Sequence, residues 1–112
     1  MSARAICKLS DLKDKDARGY RLVLDDGGEF SLIVVREGDL VFVYRNRCPH
    51  TGINLEWQPD RFFDLGGAFL QCATHGALFR LEDGYCVRGP CAGDSLESVS
   101  AWVIEGQVVV DA

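Results

Sequence analysis

The residues best suited to metal chemistry lie in two short runs, residues 48–52 (Cys-Pro-His-Thr-Gly) and residues 72–76 (Cys-Ala-Thr-His-Gly). Each run places one thiol and one imidazole close together, and the two histidines of the chain are both found here. Two thiolates and two neutral imidazoles form a mixed donor set that suits an iron–sulfur cluster or a zinc ion. The candidate cofactor-binding and metal-binding residues are therefore Cys48, His50, Cys72 and His75.

The order of these ligands separates the two chemistries. Common zinc fingers place two cysteines before two histidines, whereas this chain alternates cysteine and histidine twice. The alternation favours a [2Fe-2S] cluster, because each run can then reach both irons, with Cys48 and Cys72 on one iron and His50 and His75 on the other. A structural zinc module is the less favoured alternative.

The elements that must position these runs are short β-strands, because brief apolar runs alternate with Gly and Asp punctuation. Three strands form an antiparallel meander, of which the third leads directly into Cys48. A small hairpin lies between the two runs, and a second hairpin with an Asp-Gly turn follows the second run. One short helix is expected near residues 10–12, capped by Ser10. The predicted strands are residues 20–24, 30–35, 40–44, 62–63, 68–70, 77–79, 85–87, 96–104 and 107–110.

This pattern predicts an all-β protein of antiparallel sheets. Both candidate metal runs fall at the ends of neighbouring hairpins. Two loops that meet at one tip can hold a cluster from two sides.

Length, charge and hydropathy limit the classes of function that the chain can have. The chain has 112 residues and 47% hydrophobic residues, which fits one globular domain. Its formal net charge of -5 argues against non-specific binding to nucleic acid and favours redox partners with basic docking surfaces. No apolar run is long enough to span a bilayer, and the N-terminus lacks the apolar stretch of a secretory signal. We therefore expect no membrane association and a cytoplasmic location.

The remaining cysteines are not expected to be ligands. Five cysteines cannot all pair, and a reducing compartment keeps thiols reduced. We expect Cys7, Cys86 and Cys91 to be small, buried or half-buried residues.

The sequence of motifs resembles the Rieske [2Fe-2S] ferredoxin-type proteins. The resemblance rests on Cys-Pro-His-Thr-Gly, then Cys-x-x-His-Gly-x-x-Phe, then Gly89-Pro90. It implies one Rieske domain, in which a scaffold (about residues 1–45 and 93–112) carries an inserted cluster-binding subdomain (about residues 46–92). It also implies that the Gly89-Pro90 loop shields the cluster and that His50 and His75 lie at the exposed tip.

Departures from high-potential Rieske proteins predict a low potential. Those proteins carry one further cysteine in each motif, and Ile53 and Thr74 stand at these positions here. They also donate serine and tyrosine hydroxyls to the cluster sulfurs, where this chain has Ala77 and Phe79. With fewer donors, the expected midpoint lies near the low end of the Rieske range, about −150 to 0 mV.

The function implied by the resemblance is that of a soluble one-electron carrier between a flavin reductase and an oxygenase. It would not be an enzyme itself, because no histidine remains to build a second, substrate-activating iron centre. Residues 51–71 separate His50 from Cys72, which is more than typical small members carry, and we interpret the excess as a longer loop. The alternative is a small accessory subunit of a reductase complex, similar to the small subunit of nitrite reductase.

Overall fold

Three antiparallel sheets build the part of the protein that the structure describes. The computed structural model describes residues 3–23, 27–47, 49, 55, 62–63, 67–72, 76–89 and 92–111. The described residues contain one short 3-10 helix, Leu9–Asp11, and ten strands. The strands are β1 (Ala3–Lys8), β2 (Asp16–Val23), β3 (Glu29–Glu37), β4 (Leu40–Arg45), β5 (Phe69–Gln71), β6 (Leu78–Arg80), β7 (Cys86–Arg88), β8 (Ser98–Val99), β9 (Ala101–Ile104) and β10 (Gln107–Asp111).

The first sheet has the order β2-β3-β4-β8 and contains the predicted meander. The pairing of β2 with β3 and of β3 with β4 is antiparallel throughout, which confirms that prediction. Leu32 and Val34 point into one hydrophobic cluster, and Ile33 and Val35 point into a second cluster on the other face. Both faces of β3 are therefore buried, as its continuous apolar run indicates.

The second sheet, of order β1-β10-β9, covers one face of the first. Val108 and Val110 of β10 pack against Leu22, Leu32 and Val43. The expected single strand over residues 96–104 is wrong. Its first part is β8 in the first sheet and its second part is β9 in the second sheet, so the chain crosses between sheets within this run.

Two details near the N-terminus also differ from expectation. The strand β1 carries no continuous apolar face and is not predicted, yet it pairs with β10 over residues 3–8. The short helix is a single 3-10 turn that begins after Lys8, so the assignment of Ser10 as its cap is wrong. The Lys8 amide donates to the side chain of Asp11 at 3.1 Å instead.

The third sheet, of order β5-β6-β7, lies within residues 69–88. Its β6–β7 hairpin confirms the predicted hairpin with the Asp-Gly turn. The hairpin predicted before the second run is partly described: Phe63 forms an antiparallel bridge with Leu70, and residues 64–66 of its turn lie outside the described residues. The all-β prediction is confirmed, while the division into scaffold and subdomain stays a prediction.

A buried tyrosine fixes the third sheet to the first. The Tyr44 hydroxyl on β4 donates to the Leu81 carbonyl beyond β6 at 2.7 Å. Burial raises the pKa of Tyr44, so the hydroxyl stays protonated and remains a donor. A Cβ built on Gly84 would lie 2.9 Å from the Tyr44 ring, so this turn has room only for glycine.

Among the residues that the structure describes, no helix has the length and apolar character needed to cross a membrane.

Candidate metal centre

Of the four candidate ligands, the structure describes Cys72. Its residue exposure is 1%, and it follows directly on β5. Cys48, His50 and His75 lie outside the described residues, and the contacts of their side chains with Cys72 stay a prediction. The backbone around each motif is described, and it indicates how the two runs are held.

The second run forms a loop closed by its own backbone. The Cys72 amide donates to the Ala77 carbonyl at 2.9 Å, and the Gly76 amide donates to the Cys72 carbonyl at 2.9 Å. Gly76 has φ +70, a conformation that favours glycine. The described residues on the two sides of this run, Cys72 and Gly76–Ala77, are therefore held together by backbone hydrogen bonds.

A third loop, which begins after β7, packs against Ala77, the residue that follows the second run. A Cβ built on Gly89 (φ +106) would lie 2.7 Å from the Cα of Ala77, so the two backbones approach as closely as a glycine allows. The loop is closed on itself, because the Ala92 amide donates to the Gly89 carbonyl at 3.1 Å. This placement agrees with a loop that covers the second run, although Pro90 and Cys91 lie outside the described residues.

A buried asparagine anchors the first run. Asn46 is 5% exposed and lies two positions before Cys48. Its backbone amide donates to the Ser31 carbonyl at 2.8 Å, and its side-chain oxygen accepts from the backbone amide of Leu55 at 2.8 Å. The side chain therefore ties together the two ends of the segment that carries Cys48 and His50. Sequence reasoning missed Asn46, and its one signal is a polar residue directly after an apolar strand.

The surroundings of the second run supply no side-chain hydroxyl at the two positions identified from the sequence. Ala77 is 1% exposed and Phe79 is 0% exposed, and both belong to the hydrophobic cluster between the first and third sheets. Neither side chain can donate to a cluster sulfur. The structural premise for a low potential is therefore present, and the potential itself stays a prediction.

The other described cysteines, Cys7 and Cys86, have the surroundings of packing residues rather than of metal ligands. Cys86 is buried on β7, and its thiol lies 3.2 Å from the Arg88 carbonyl, to which it can donate. Cys7 is half-buried on β1, and burial raises its pKa, which disfavours the thiolate that metals require. Among the described residues, no group of three or more His, Cys, Asp or Glu side chains is placed to hold a metal ion.

The donor set fits an iron–sulfur cluster. One thiol is buried at the base of a closed loop, glycines let the backbone approach, and the lining is apolar. The fold and the described part of the site are those of a small antiparallel β protein with a buried thiol in a closed loop. Within that class, the model of the Rieske [2Fe-2S] domain matches residues 2–102, so the chain belongs to the Rieske [2Fe-2S] domain family. The cofactor of this family, and of this chain, is a [2Fe-2S] cluster.

Solved structures share the fold over nearly the whole chain. A chain in the complex of reduced oxygenase and oxidized ferredoxin in carbazole 1,9a-dioxygenase matches with a TM-score of 0.72 and 26% identity, over 96% of this chain and 91% of that one. The ferredoxin of carbazole 1,9a-dioxygenase from Nocardioides aromaticivorans IC177 matches with a TM-score of 0.73 and 21% identity, over 98% and 97%. The second likeness is evidence of the fold alone.

Two longer proteins match in part. The terminal oxygenase of carbazole 1,9a-dioxygenase from Novosphingobium sp. KA1 shares the fold (TM-score 0.72, 17% identity) over 96% of this chain and 29% of its own. Cholesterol 7-desaturase of Caenorhabditis elegans is 32% identical over 68 residues, which are 56% of this chain and 14% of that protein. This chain therefore spans about one seventh of the length of the curated relative that it matches.

Proposed function

We propose that this protein is a one-electron carrier that takes an electron from a flavin reductase and passes it to an oxygenase. The observation that carries the proposal is the buried Cys72 at the base of a loop closed through Ala77, with Gly89 packed against the Ala77 backbone. Such a site can hold one side of a cluster, and we propose that the other side, at His50 and His75, faces solvent and exchanges electrons.

The proposed ligands are Cys48 and Cys72 on one iron and His50 and His75 on the other. A bound cluster would supply one-electron transfer, at a potential above that of four-cysteine centres because two of its ligands would be histidines. The chain's own residues hold the loops: Asn46 fixes the first run, and Ala77 with Gly89 fixes the second.

Membership of the family and likeness to a chain in an oxygenase–ferredoxin complex support an oxygenase as electron acceptor. The flavin reductase as donor rests on the family resemblance. The role of a carrier rather than an enzyme is supported by the histidine count, because both histidines are needed as cluster ligands. A cytoplasmic location is part of the same proposal.

The first experiment tests the cofactor and its ligands. Wild-type protein, Cys72→Ser and the matched control Cys7→Ser are reconstituted with iron and sulfide. We expect wild type and Cys7→Ser to be red-brown and to give a rhombic electron paramagnetic resonance signal after dithionite reduction, and Cys72→Ser to lose both features. A colourless wild type that holds one zinc ion would support the zinc module instead.

The second experiment tests the role. Purified holoprotein is added to a flavin reductase and the oxygenase component of an aromatic-ring dioxygenase, with NADH consumption coupled to product formation as the readout. We expect turnover that requires the holoprotein and is absent with Cys72→Ser. Failure of all such acceptors, together with isolation in a stable large complex, would favour the accessory subunit of a reductase.

A further inference from the structure

We propose that Arg47 and Arg88 form a positively charged rim around the cluster, so that this protein docks redox partners whose cofactor is surrounded by carboxylates. This inference rests on the proposed function, since it assumes that electrons leave at the tip formed by the two Cys/His runs. It reverses the expectation of a basic partner that the net charge of -5 suggests.

Both arginines border the proposed cluster site. Arg47 is the residue directly before Cys48. With Pro49, it lines a cleft of about 130 Å³ beside the first run. Arg88 directly precedes Gly89, which contacts the Ala77 backbone. Each arginine is therefore next in sequence either to a motif residue, Cys48, or to Gly89, which packs beside the second motif.

These two arginines are exposed, and within the described ranges they differ in pairing from the neighbouring arginines. Neither Arg47 nor Arg88 forms an ion pair with any residue in the part of the chain that the structure describes. Arg45, in contrast, meets the Glu97 carboxylate at 3.3 Å, and Arg80 is paired with Asp83. Arg47 and Arg88 therefore contribute two positive charges near the motifs that no carboxylate among the described residues pairs with.

Two described carboxylates bear on the charge of this rim: Glu97 lines the same cleft as Arg47 and is paired with Arg45, and Asp94 lies on the loop that follows Gly89. Asp94 is exposed there, and its backbone carbonyl accepts from the Cys86 amide. Because Glu97 is balanced by Arg45, Asp94 alone is left against two arginines. The formal charges of the described residues of this rim therefore add up to a positive value.

Three carboxylates lie at the other end of β4. The strand runs from Leu40 to Arg45 and then to the first motif, a length of about 20 Å. At its start, Asp14 accepts from the Gly38 amide at 2.7 Å, which places that carboxylate beside Glu37 and Asp39. These carboxylates, with the lysines Lys13 and Lys15 that flank Asp14, thus lie at the far end of β4 from the first motif.

Distance decides which charges a docked partner feels. The Debye length is about 8 Å at physiological ionic strength, so charges about 20 Å away are strongly screened. At contact distance the local arginines act on the partner, and the net charge contributes little. A partner with carboxylates around its own cofactor meets this surface with complementary charge.

The experiment uses small oxidants of opposite charge as probes. Reduced holoprotein is mixed in a stopped-flow instrument with hexacyanoferrate(III), an anion, or tris(phenanthroline)cobalt(III), a cation, at low ionic strength. The test variant is Arg47→Gln/Arg88→Gln. The matched control is Lys13→Gln/Lys15→Gln, which removes the same charge from exposed lysines that flank Asp14 at the far end of β4.

We expect the arginine variant to be oxidised about tenfold more slowly by the anion, and faster by the cation. This magnitude follows from removing two charges at about 10 Å from a trianion in water, at an ionic strength of about 0.01 M. The lysine variant, at about 25 Å, should change either rate by about twofold. The difference should shrink at about 0.15 M salt, and Arg47→Lys/Arg88→Lys should restore the wild-type rates.

Equal effects of the arginine and lysine variants would overturn the proposal, because net charge alone would then govern the encounter. The visible spectrum before mixing distinguishes this result from failure of the proposed function. A wild type without a reducible iron–sulfur chromophore would refute both the carrier function and the charged exit.

Discussion

The close approach of Gly89 to Ala77 allows a quantitative prediction for the loop that begins at Gly89. In Gly89→Ala, the new Cβ would lie 2.7 Å from the Ala77 Cα, closer than carbon atoms approach, and φ +106 strains any residue with a side chain. The backbone strain costs about 1–2 kcal/mol, and overpacking adds about 1–3 kcal/mol. Because the Ala77 carbonyl holds the Cys72 amide, the displaced backbone should also loosen the second motif.

The matched control lies in the same loop. Gly93 has φ +98, and a Cβ built there meets nothing within 4 Å, so Gly93→Ala carries the strain without the contact. The assay is thermal unfolding of the holoprotein, followed by circular dichroism and by loss of visible absorption. One kcal/mol shifts the Tm of a domain of this size by about 4 °C.

We therefore expect Gly93→Ala to lower the Tm by about 4–8 °C and Gly89→Ala to lower it by a further 4–12 °C. We also expect Gly89→Ala to release its cluster faster at a temperature where all variants are folded. Equal Tm values and equal rates of cluster loss for the two variants would refute the reasoning, because the close approach would then contribute nothing.

Three further substitutions test the surroundings of the site. Ala77→Ser should raise the midpoint potential by about 40–90 mV in voltammetry, because the new hydroxyl would stabilise the reduced form of a one-electron couple by about 1–2 kcal/mol. The control Ala17→Ser, in the same hydrophobic cluster, should leave the midpoint potential unchanged. Equal midpoint potentials for the two variants would contradict the argument. Tyr44→Phe should lower the free energy of unfolding by about 1–3 kcal/mol, because a buried carbonyl loses its donor; a change below about 0.5 kcal/mol, as we expect for the exposed Tyr85→Phe, would refute the role of this bond. Asn46→Ala should cost about 1–3 kcal/mol and accelerate cluster loss, because a buried amide loses its acceptor, and an unchanged rate of loss would show that this side chain does not hold the first run.

Local sequence features predicted the parts of the fold that local interactions determine. The apolar run of β3 and the Gly- and Asp-rich turns around it were sufficient for the meander. The turn at Asp83-Gly84 was sufficient for the β6–β7 hairpin. In each case the pairing partners are neighbours along the chain, so the signal lies within one short window.

The errors arise where distant segments decide the structure. The strand β1 has no apolar face of its own and forms because β10, from the other end of the chain, pairs with it. Nothing within residues 96–104 marks the change of sheet, which follows from the bond between the Asp111 amide and the Ser100 carbonyl and from the pairing of β8 with β4. Periodicity within a short window contains no information about either partner.

The candidate site divides in the same way. The four ligand positions could be proposed from residue type and spacing, because iron–sulfur chemistry restricts the donors. The supports could not, since Asn46 bonds to Ser31 and Leu55, and Gly89 contacts Ala77, only in the folded chain. The charged rim of Arg47 and Arg88 is likewise hidden by a net charge of the opposite sign.

Mössbauer spectroscopy of protein reconstituted with isotopically enriched iron tests the central claim most directly. With Cys48 and Cys72 on one iron and His50 and His75 on the other, the two irons must differ. The account predicts two inequivalent iron sites of equal intensity, with the added electron localised on the histidine-bound iron after reduction. Equivalent irons, or a preparation that binds zinc in place of iron, would contradict it.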